Sequence, residues 1–470
     1  MGLTDTGKAG RASIPFGQDG EDERLSALLR SPDFRQWRAQ VEATRGCAAP
    51  IHLRGSSHIV DAAGAVLRER AGTVLAPCGN RRESVCPACS DRYAADAFHL
   101  LRAGLAGDDT KAVPVQVVEH PRAFVTLTAP SFGPVHTRAV SPRGLVVPCR
   151  CGERHGVDDP RIGTAQDPET YDYTGAVLWQ AHAGKLWARF TVTLRRALAA
   201  ELGVGARQFA AHARLSFAKV AEYQRRGLVH FHAVVRLDGP DGPTDAPPLG
   251  LDQQSLTAAV RRAVDVVALH VARPDGTDMA VVWGRQVDVR PVTAAAARQL
   301  DDADTGEMTD AALAGYIAKY ATKGTGAHDG ADRPIRDISH VEHLPIPAHH
   351  RRMMTTAWEL GGQERYEELH LRKWAHMLAF RGHFLTKSRR YSTTFSTLRA
   401  QRRAHRLAED LAGLTDSEGE PVDPASVVVV NDWWPVRFGH RDDAEREFAG
   451  AIAEKHRTQR HGTRHNTGES

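Results

Sequence analysis

Two histidines separated by one residue, His230 and His232, are the first candidates for chemistry in this sequence. They lie in a run of alternating apolar residues, and residues i and i+2 of a strand point to the same face. Glu222 lies in the preceding alternating run, across the polar break 224–227, so a β-hairpin would bring it to the same face. Two imidazoles and a carboxylate suit Mg²⁺ or Mn²⁺ beside a phosphate, with Gln224 as the alternative third ligand.

The histidine pair alone is weak support for a metal site. The chain has 24 histidines in 470 residues, so about one His-x-His pair is expected by chance. A buried pair of ordinary core histidines is therefore the simpler interpretation until a second motif supports the chemistry.

The segment YIAKYATK, residues 316–323, is that second motif. On a helix, Tyr316, Lys319, Tyr320 and Lys323 share one face. A phenol has a pKa near ~10, so it is a poor nucleophile unless nearby ammonium groups stabilise its anion. Beside a metal-polarised phosphodiester, a tyrosine oxygen could displace a sugar oxygen and leave a 5′-phosphotyrosine and a free 3′-hydroxyl. From composition alone, a surface helix with half-packed tyrosines remains the alternative.

Six cysteines lie in the first third of the chain. In a chain without secretory features, clustered cysteines favour metal binding over disulfides, and a Cys-x2-Cys pair leading into a helix is typical of zinc. The alternative is a set of buried free thiols. The two predicted zinc-ligand sets are Cys47, Cys78, Cys86 and Cys89, and, further along the chain, Cys149, Cys151 and His155.

Length and composition limit the class of protein. A chain of 470 residues is long enough for two or three domains. Charged residues make up 25% and hydrophobic residues 41%, which is typical of a soluble globular protein. The net charge is only +4, so a nucleic-acid surface would have to be a local patch. The sequence shows no apolar run of membrane-spanning length and no apolar signal core, which predicts no membrane partner and a cytoplasmic location.

Further elements must position these groups. Residues 122–128 read as a strand, which we expect next to the histidine strand, and residues 175–202 as a long amphipathic helix. After about residue 345 the chain becomes basic and helical, with aromatic residues interleaved, a composition that suits single-stranded DNA. A solvated helix face is the alternative. The candidate DNA-binding residues are Lys387, Arg389, Arg390, Arg399, Arg402 and Arg403.

Three motifs in order resemble those of HUH-type rolling-circle replication initiators. They are Phe124-Val-Thr-Leu-Thr128, then His230-Phe-His232, then Tyr316-Ile-Ala-Lys319-Tyr320. The stretches CGNRRESVCPACSDRY, GLVHFHAVVRLDG and YIAKYATKGT are similar to initiators of actinobacterial plasmids and integrative conjugative elements. The resemblance covers roughly residues 45–405.

The resemblance implies an α+β fold in which a central antiparallel sheet, with helices on one face, holds the site. It implies that the histidine pair binds the metal and that Tyr316 attacks first, with Lys319 orienting the phosphate or stabilising the phenolate. Tyr320 would be the second nucleophile, used at termination, with Lys323 as its counterpart; single-tyrosine relatives use only one. The implied partners are single-stranded origin DNA, a host helicase and a DNA polymerase.

Five segments are predicted along the chain. A disordered tail at 1–22 precedes a Cys-rich zinc module at 23–110. An HUH nickase domain at 111–345 contains the second cysteine cluster as an insertion. A basic helical DNA-binding region at 346–455 leads into a disordered tail at 456–470.

Two other classes of protein remain open. A conjugative relaxase or a single-strand transposase would use the same chemistry, although relaxases usually place the tyrosine before the histidines. A non-catalytic, zinc-containing DNA-binding regulator would need neither the histidine pair nor the tyrosine helix.

Overall fold

The computed structural model of the protein describes residues 26–292, 313–315, 318, 334–415 and 419–466. Within these ranges, none of the helices combines the length and the apolar character needed to cross a bilayer.

Helices and strands alternate irregularly along the chain. The strands are β1 (Ile51–Val60), β2 (Val66–Ala76), β3 (Arg122–Leu127), β4 (Ala139–Val140), β5 (Val146–Val147), β6 (Arg214–Tyr223), β7 (Val229–Asp238), β8 (Leu269–Ala272), β9 (Asp278–Val281), β10 (Val287–Pro291), β11 (Leu385–Lys387) and β12 (Val428–Phe438). The helices are α1 (Phe34–Ala43), α2 (Pro87–Ala106), α3 (Tyr173–Glu201), α4 (Gln253–Val266), α5 (Ser339–Glu342), α6 (Ala348–Leu360), α7 (Leu371–Trp374), α8 (Phe395–Leu411) and α9 (Asp443–Asn466).

The chain forms two compact units that are discontinuous in sequence. One consists of the described residues up to Asn80, Val85–Ser90 and those from Leu407 onward; the other consists of Arg81–Ser84 and Asp91–Arg406. These units do not coincide with the segments predicted from sequence, because a strand near the end of the chain pairs with a strand near its beginning.

The larger unit is built on a five-stranded antiparallel sheet in the order β10-β3-β7-β6-β11. Strands β6 and β7 form the predicted hairpin, and its turn is closed by the Gln224 N–H, which donates to the Leu228 carbonyl at 2.9 Å. The turn residue Gly227 has φ +77 and a crowded surrounding, which favours glycine. Strand β3 pairs with β7, so the expected neighbour of the histidine strand is confirmed.

Helices cover both faces of this sheet. On one face, Val125 and Phe231 belong to a core that includes Trp179 of the amphipathic helix α3. On the other face, Phe124 and Val234 belong to a second core with residues of α2 and α8. The expectation of helices on one face was therefore wrong. The strands are apolar on both sides, and such strands must be covered on both sides to remove that surface from water.

The smaller unit is built on a three-stranded antiparallel sheet in the order β12-β1-β2. Strand β12 lies in the segment predicted to be helical, and it pairs with β1 from Ile51↔Phe438 to Val60↔Val428. Its β-branched and aromatic composition is typical of strands. Helix α9 continues into the segment from 456 that was predicted to be disordered.

Candidate metal centres

Glu222, His230 and His232 come together on the β6–β7 hairpin. The Nε2 atoms of His230 and His232 lie 2.7 and 3.1 Å from Oε2 of Glu222, and 3.1 Å from each other. Neighbouring ligands of an octahedral ion with bonds of about 2.1 Å are separated by about 3.0 Å. The three atoms therefore have the spacing of three ligands on one face of a Mg²⁺ or Mn²⁺ ion.

The strand register accounts for this grouping. Glu222 is the direct cross-strand partner of His230, and His232 follows two residues later on the same face. The His232 side chain is buried, whereas His230 keeps 17% of its side chain exposed. The cluster is thus fixed on its inner side and accessible on its outer side.

Two residues of β3 orient His232. Oγ1 of Thr126 lies 3.1 Å from Nδ1 of His232, so Nδ1–H can donate to the hydroxyl while Nε2 faces the cluster. The ring of Phe124 lies parallel to the imidazole, with 5.8 Å between centroids. Sequence reasoning did not single out Thr126 as a positioning residue, although its strand had been predicted.

The alternative ligand Gln224 does not join the cluster. Its Oε1 accepts a hydrogen bond from Nε of Arg226 at 2.8 Å. The guanidinium of Arg226 also donates to the carbonyls of Ala129 and Pro130, both at 2.7 Å. Gln224 and Arg226 therefore hold the turn, and Glu222 is the carboxylate among the grouped ligands.

Cys47, Cys78, Cys86 and Cys89 form a second group that could hold a metal ion. Sγ of Cys47 lies 3.7 Å from Sγ of Cys86 and of Cys89, and Cys78 lies 3.7 Å from Cys89. Sulfurs bound at about 2.3 Å in a tetrahedron are about 3.8 Å apart. The four cysteines named from the sequence therefore come together with the spacing of four thiolate ligands around one metal ion.

Backbone N–H groups surround these sulfurs. The N–H of Ala48 donates to Cys86 at 3.3 Å, and the N–H of Cys78 donates to Cys47 at 3.3 Å. Such bonds favour the thiolate, which is the form that binds metal.

Cys149, Cys151 and His155 also come together, and His136 joins them. Nδ1 of His136 lies 3.2 Å from Nε2 of His155, which lies 3.3 Å from Sγ of Cys151. Burial by itself would raise the pKa of the Cys149 thiol, but N–H donors that include Cys151 and Thr137 bring it down to about 5. Sequence reasoning missed His136, because it lies 13 residues before Cys149 without a local spacing rule.

The residues Tyr316, Lys319, Tyr320 and Lys323 lie outside the described residues. Their described neighbours Leu313, Ala314 and Ala318 are buried in the second core. This is the core on the sheet face that bears Phe124 and the metal-ligand group.

Two of the predicted DNA-binding residues donate hydrogen bonds to backbone carbonyls of the same chain. Nζ of Lys387 donates to the carbonyls of Ser388, Arg389 and Ser392, and Arg390 donates to the Asp241 carbonyl at 2.6 Å. These bonds hold the loop after β11, so Lys387 and Arg390 have a structural role that does not require DNA.

Arg402 makes two bonds to the buried carboxylate of Asp96, at 2.5 and 2.8 Å. Arg399 lies 4.0 Å from the same carboxylate and is largely exposed. Arg389 and Arg403 are exposed as well. Arg389, Arg399 and Arg403 thus remain the candidates for contact with a phosphate backbone.

The aromatic residues interleaved with this basic segment are mostly core residues. Phe380, Phe384 and Tyr391 are 1%, 7% and 0% exposed, and Phe395 stacks on Tyr93 at 5.2 Å. These rings pack the larger unit, so they do not support the suggestion that the aromatic residues of this segment contact single-stranded DNA.

These features define an α+β protein whose described residues include three groups of potential metal ligands, one of them on the central strands. The family model described as replication initiator protein, pSAM2, matches residues 33–454. The chain belongs to this family of replication initiators. It is 44% identical over 442 residues to a replication initiator protein from Streptomyces ambofaciens, covering 91% of this chain and 92% of the relative. No solved structure matched the chain.

Proposed function

We propose that this replication initiator nicks one strand of origin DNA by attack of a tyrosine on a phosphodiester, assisted by a metal ion. The observation that carries the proposal is the Glu222–His230–His232 group on the central hairpin. A replication initiator needs a primer end, and a nick that leaves a 3′-hydroxyl supplies one. The same chemistry in a relaxase or a transposase is the nearest alternative.

Glu222, His230 and His232 would hold Mg²⁺ or Mn²⁺, which supplies a positive charge that polarises the scissile phosphate. The Tyr316 oxygen would form a bond to phosphorus while the bond from phosphorus to the 3′ oxygen breaks. The phenol loses its proton and the departing 3′ oxygen gains one, so no water is consumed. The ammonium group of Lys319 would stabilise the negative charge of the phenolate and of the phosphate.

Tyr320 and Lys323 would repeat this reaction at termination. The phosphotyrosine conserves the energy of the phosphodiester, so the second tyrosine could cut again without release of the first strand. Leu313, Ala314 and Ala318 are buried in the core on the sheet face that carries the metal-ligand group, which supports this assignment.

The four-cysteine group would bind a structural zinc ion in the smaller unit. Arg389, Arg399 and Arg403 would contact phosphates, which contribute affinity and salt dependence but carry no base information. The proposed setting is the cytoplasm, with a host helicase and a DNA polymerase as partners for strand separation and extension.

A covalent-adduct assay tests the proposal. Purified protein is incubated with single-stranded origin oligonucleotides and Mn²⁺, with and without chelator, and resolved on a denaturing gel. A label on the 3′ end should migrate with the protein, and the released 5′ fragment should be extendable by a polymerase. The covalent adduct should be lost in the double variant Tyr316→Phe, Tyr320→Phe. The single variant that loses the adduct identifies the tyrosine that attacks first.

The control for the metal group is an exposed histidine. His230→Ala and His232→Ala should abolish the adduct, whereas His270→Ala, an exposed residue on β8, should not. If an origin fragment that the protein binds yields no adduct, the protein is a DNA-binding regulator and the histidine pair is structural.

A further inference from the structure

We propose that His136, Cys149, Cys151 and His155 bind a second zinc ion, and that this ion holds the 131–166 loop against the turn of the β6–β7 hairpin. The inference concerns a site separate from the hairpin group and from the four-cysteine group. It does not depend on the proposed nicking activity.

The distances match a tetrahedral site with two nitrogen and two sulfur ligands. Zinc bonds of about 2.0–2.1 Å to nitrogen and about 2.3 Å to sulfur place the two nitrogens about 3.3 Å apart and each nitrogen about 3.6 Å from a sulfur. The two imidazole nitrogens are 3.2 Å apart, and Nε2 of His155 is 3.3 Å from Sγ of Cys151. All four ligand atoms lie within 4.8 Å of one another, so one ion can contact all of them.

The surroundings of His155 prepare it as a ligand. Its Nδ1–H donates to Oδ2 of Asp159 at 2.7 Å, which leaves the lone pair of Nε2 directed at the other ligands. Asp159 is held in turn by two bonds from the Arg161 guanidinium. A carboxylate behind a metal-binding imidazole fixes its tautomer and its ring orientation.

Cys149 has the surroundings of a bound thiolate. Its buried sulfur accepts hydrogen bonds from the Thr137 N–H at 3.4 Å and from Nε2 of Gln166 at 3.2 Å. Two N–H donors to one sulfur stabilise negative charge there. Cys151, by contrast, is exposed, so an ion would be reachable from solvent on that side.

Backbone bonds close the loop at its base, where the N–H of His136 donates to the Thr164 carbonyl at 2.9 Å and the N–H of Gly163 donates to the His136 carbonyl at 2.8 Å. Between these ends, its strands are limited to the two-residue β4 and β5. Val140, Leu145 and Val157 are 45%, 68% and 57% exposed, so these side chains add little to a core of its own. A metal ion that joins His136, at the base of the loop, to the ligands in its middle can stabilise the part that the backbone bonds do not reach.

The loop contacts the turn between Glu222 and His230. The Arg225 guanidinium donates to the Val157 carbonyl at 3.1 Å. Gly163, with φ +90, packs so closely that an added Cβ would lie 2.5 Å from the Arg225 carbonyl carbon. The ion would therefore position the turn from outside, while the hairpin itself carries the ligands of the other site.

Zinc content measured by mass spectrometry after dialysis tests the binding. Because the other two groups can also bind zinc, the informative quantity is the difference from wild type. His136→Ala should lose one zinc per chain, and His136→Cys, which restores a ligand, should keep it. Arg150→Ala, an exposed residue between the two cysteines, should match wild type. Equal zinc content in His136→Ala and wild type would overturn the proposal.

Thiol alkylation tests the same site in the unaltered protein. The exposed Cys151 should resist iodoacetamide in zinc-loaded protein and react after chelator treatment. Reaction at one rate in both states would show that Cys151 is a free thiol and would contradict the proposal.

Hydrogen exchange tests the positioning of the turn. Amides of residues 222–230 should exchange faster in His136→Ala than in Arg150→Ala. If zinc is lost while these amides exchange as in wild type, the positioning role is refuted. Because neither zinc content nor exchange requires DNA cleavage, failure here is distinguishable from failure of the nicking proposal.

Discussion

Lys219 allows the stability of the β6–β7 hairpin to be tested independently of metal binding and DNA cleavage. This lysine lies on β6, on the sheet face opposite the metal-ligand group, and only 3% of it is exposed. Its Nζ lies 3.9 Å from the centroid of the ring of Phe231, the residue between His230 and His232 in the sequence. We expect that Lys219→Met stabilises the protein at neutral pH.

The magnitude follows from burial. Burial lowers the pKa of Lys219 from the ordinary 10.5 to about 7. Each pKa unit corresponds to about 1.4 kcal/mol, so the buried amine costs about 4 kcal/mol of folding free energy at pH 7. The contact of the ammonium with an aromatic face offsets about 1–2 kcal/mol of this. Methionine has a similar length and no charge, so a net gain of about 2–3 kcal/mol is expected.

The pH dependence has a defined sign. Because the folded-state pKa of Lys219 is below the unfolded value, the unfolded chain binds more protons between about pH 7 and pH 10.5. The contribution of this group therefore makes wild type more stable as the pH rises through that window. The advantage of Lys219→Met should be largest near pH 7 and should nearly vanish near pH 10.

Urea unfolding of wild type and variant at both pH values measures this difference. Lys185→Met, at an exposed lysine of α3, is the matched control and should change the unfolding free energy by less than about 0.5 kcal/mol. A stability difference between Lys219→Met and wild type that does not change with pH would refute the reasoning, as would a loss of stability at pH 7.

Further outcomes are expected for substitutions at four other residues. Thr126→Val should weaken Mn²⁺ binding about 10–100-fold, because the imidazole of His232 loses its orienting partner. Thr126→Ser should keep the affinity of wild type. Equal Mn²⁺ affinities in all three proteins, measured by titration calorimetry, would contradict this prediction. Arg402→Ala should lower the unfolding free energy by about 1.5–3 kcal/mol, because it leaves the Asp96 carboxylate buried without its two charged bonds. Arg403→Ala should instead leave stability unchanged, weaken DNA binding and reduce the dependence of that binding on salt concentration. Urea unfolding and filter binding measure these effects. If Arg403→Ala lowered stability and Arg402→Ala weakened DNA binding, the structural and DNA-binding roles of the two residues would be exchanged. Cys86→Ser should remove one zinc per chain and expose the smaller unit to proteolysis; undiminished zinc content would show that the four thiols bind no ion.

Local periodicity determined much of the fold around the site. The alternating runs predicted the β6–β7 hairpin, and the strand period placed both imidazoles and Glu222 on one face. The replication initiator family, predicted from three short motifs, is confirmed by the match over residues 33–454. These features depend on residues a few positions apart, so the sequence displays them directly.

Contacts between distant residues could not be predicted in this way. Strand β12 joins β1 across more than half of the chain, and its composition alone does not name its partner. Arg402 resembles a DNA contact in sequence, but 306 positions separate it from Asp96, the carboxylate that it neutralises. His136 likewise has no spacing that marks it as a ligand.

The sequence by itself determined which residue types are available and which face of each strand they occupy, because side-chain direction follows the two-residue period of the backbone. Only the tertiary structure decided which faces meet. Burial of apolar area is non-directional, so covering both faces of the central sheet requires a global arrangement that no local pattern specifies. The chemical character of the candidate site was therefore present in the motifs, whereas the residues packed around it, Thr126 and the 131–166 loop, came from the tertiary structure.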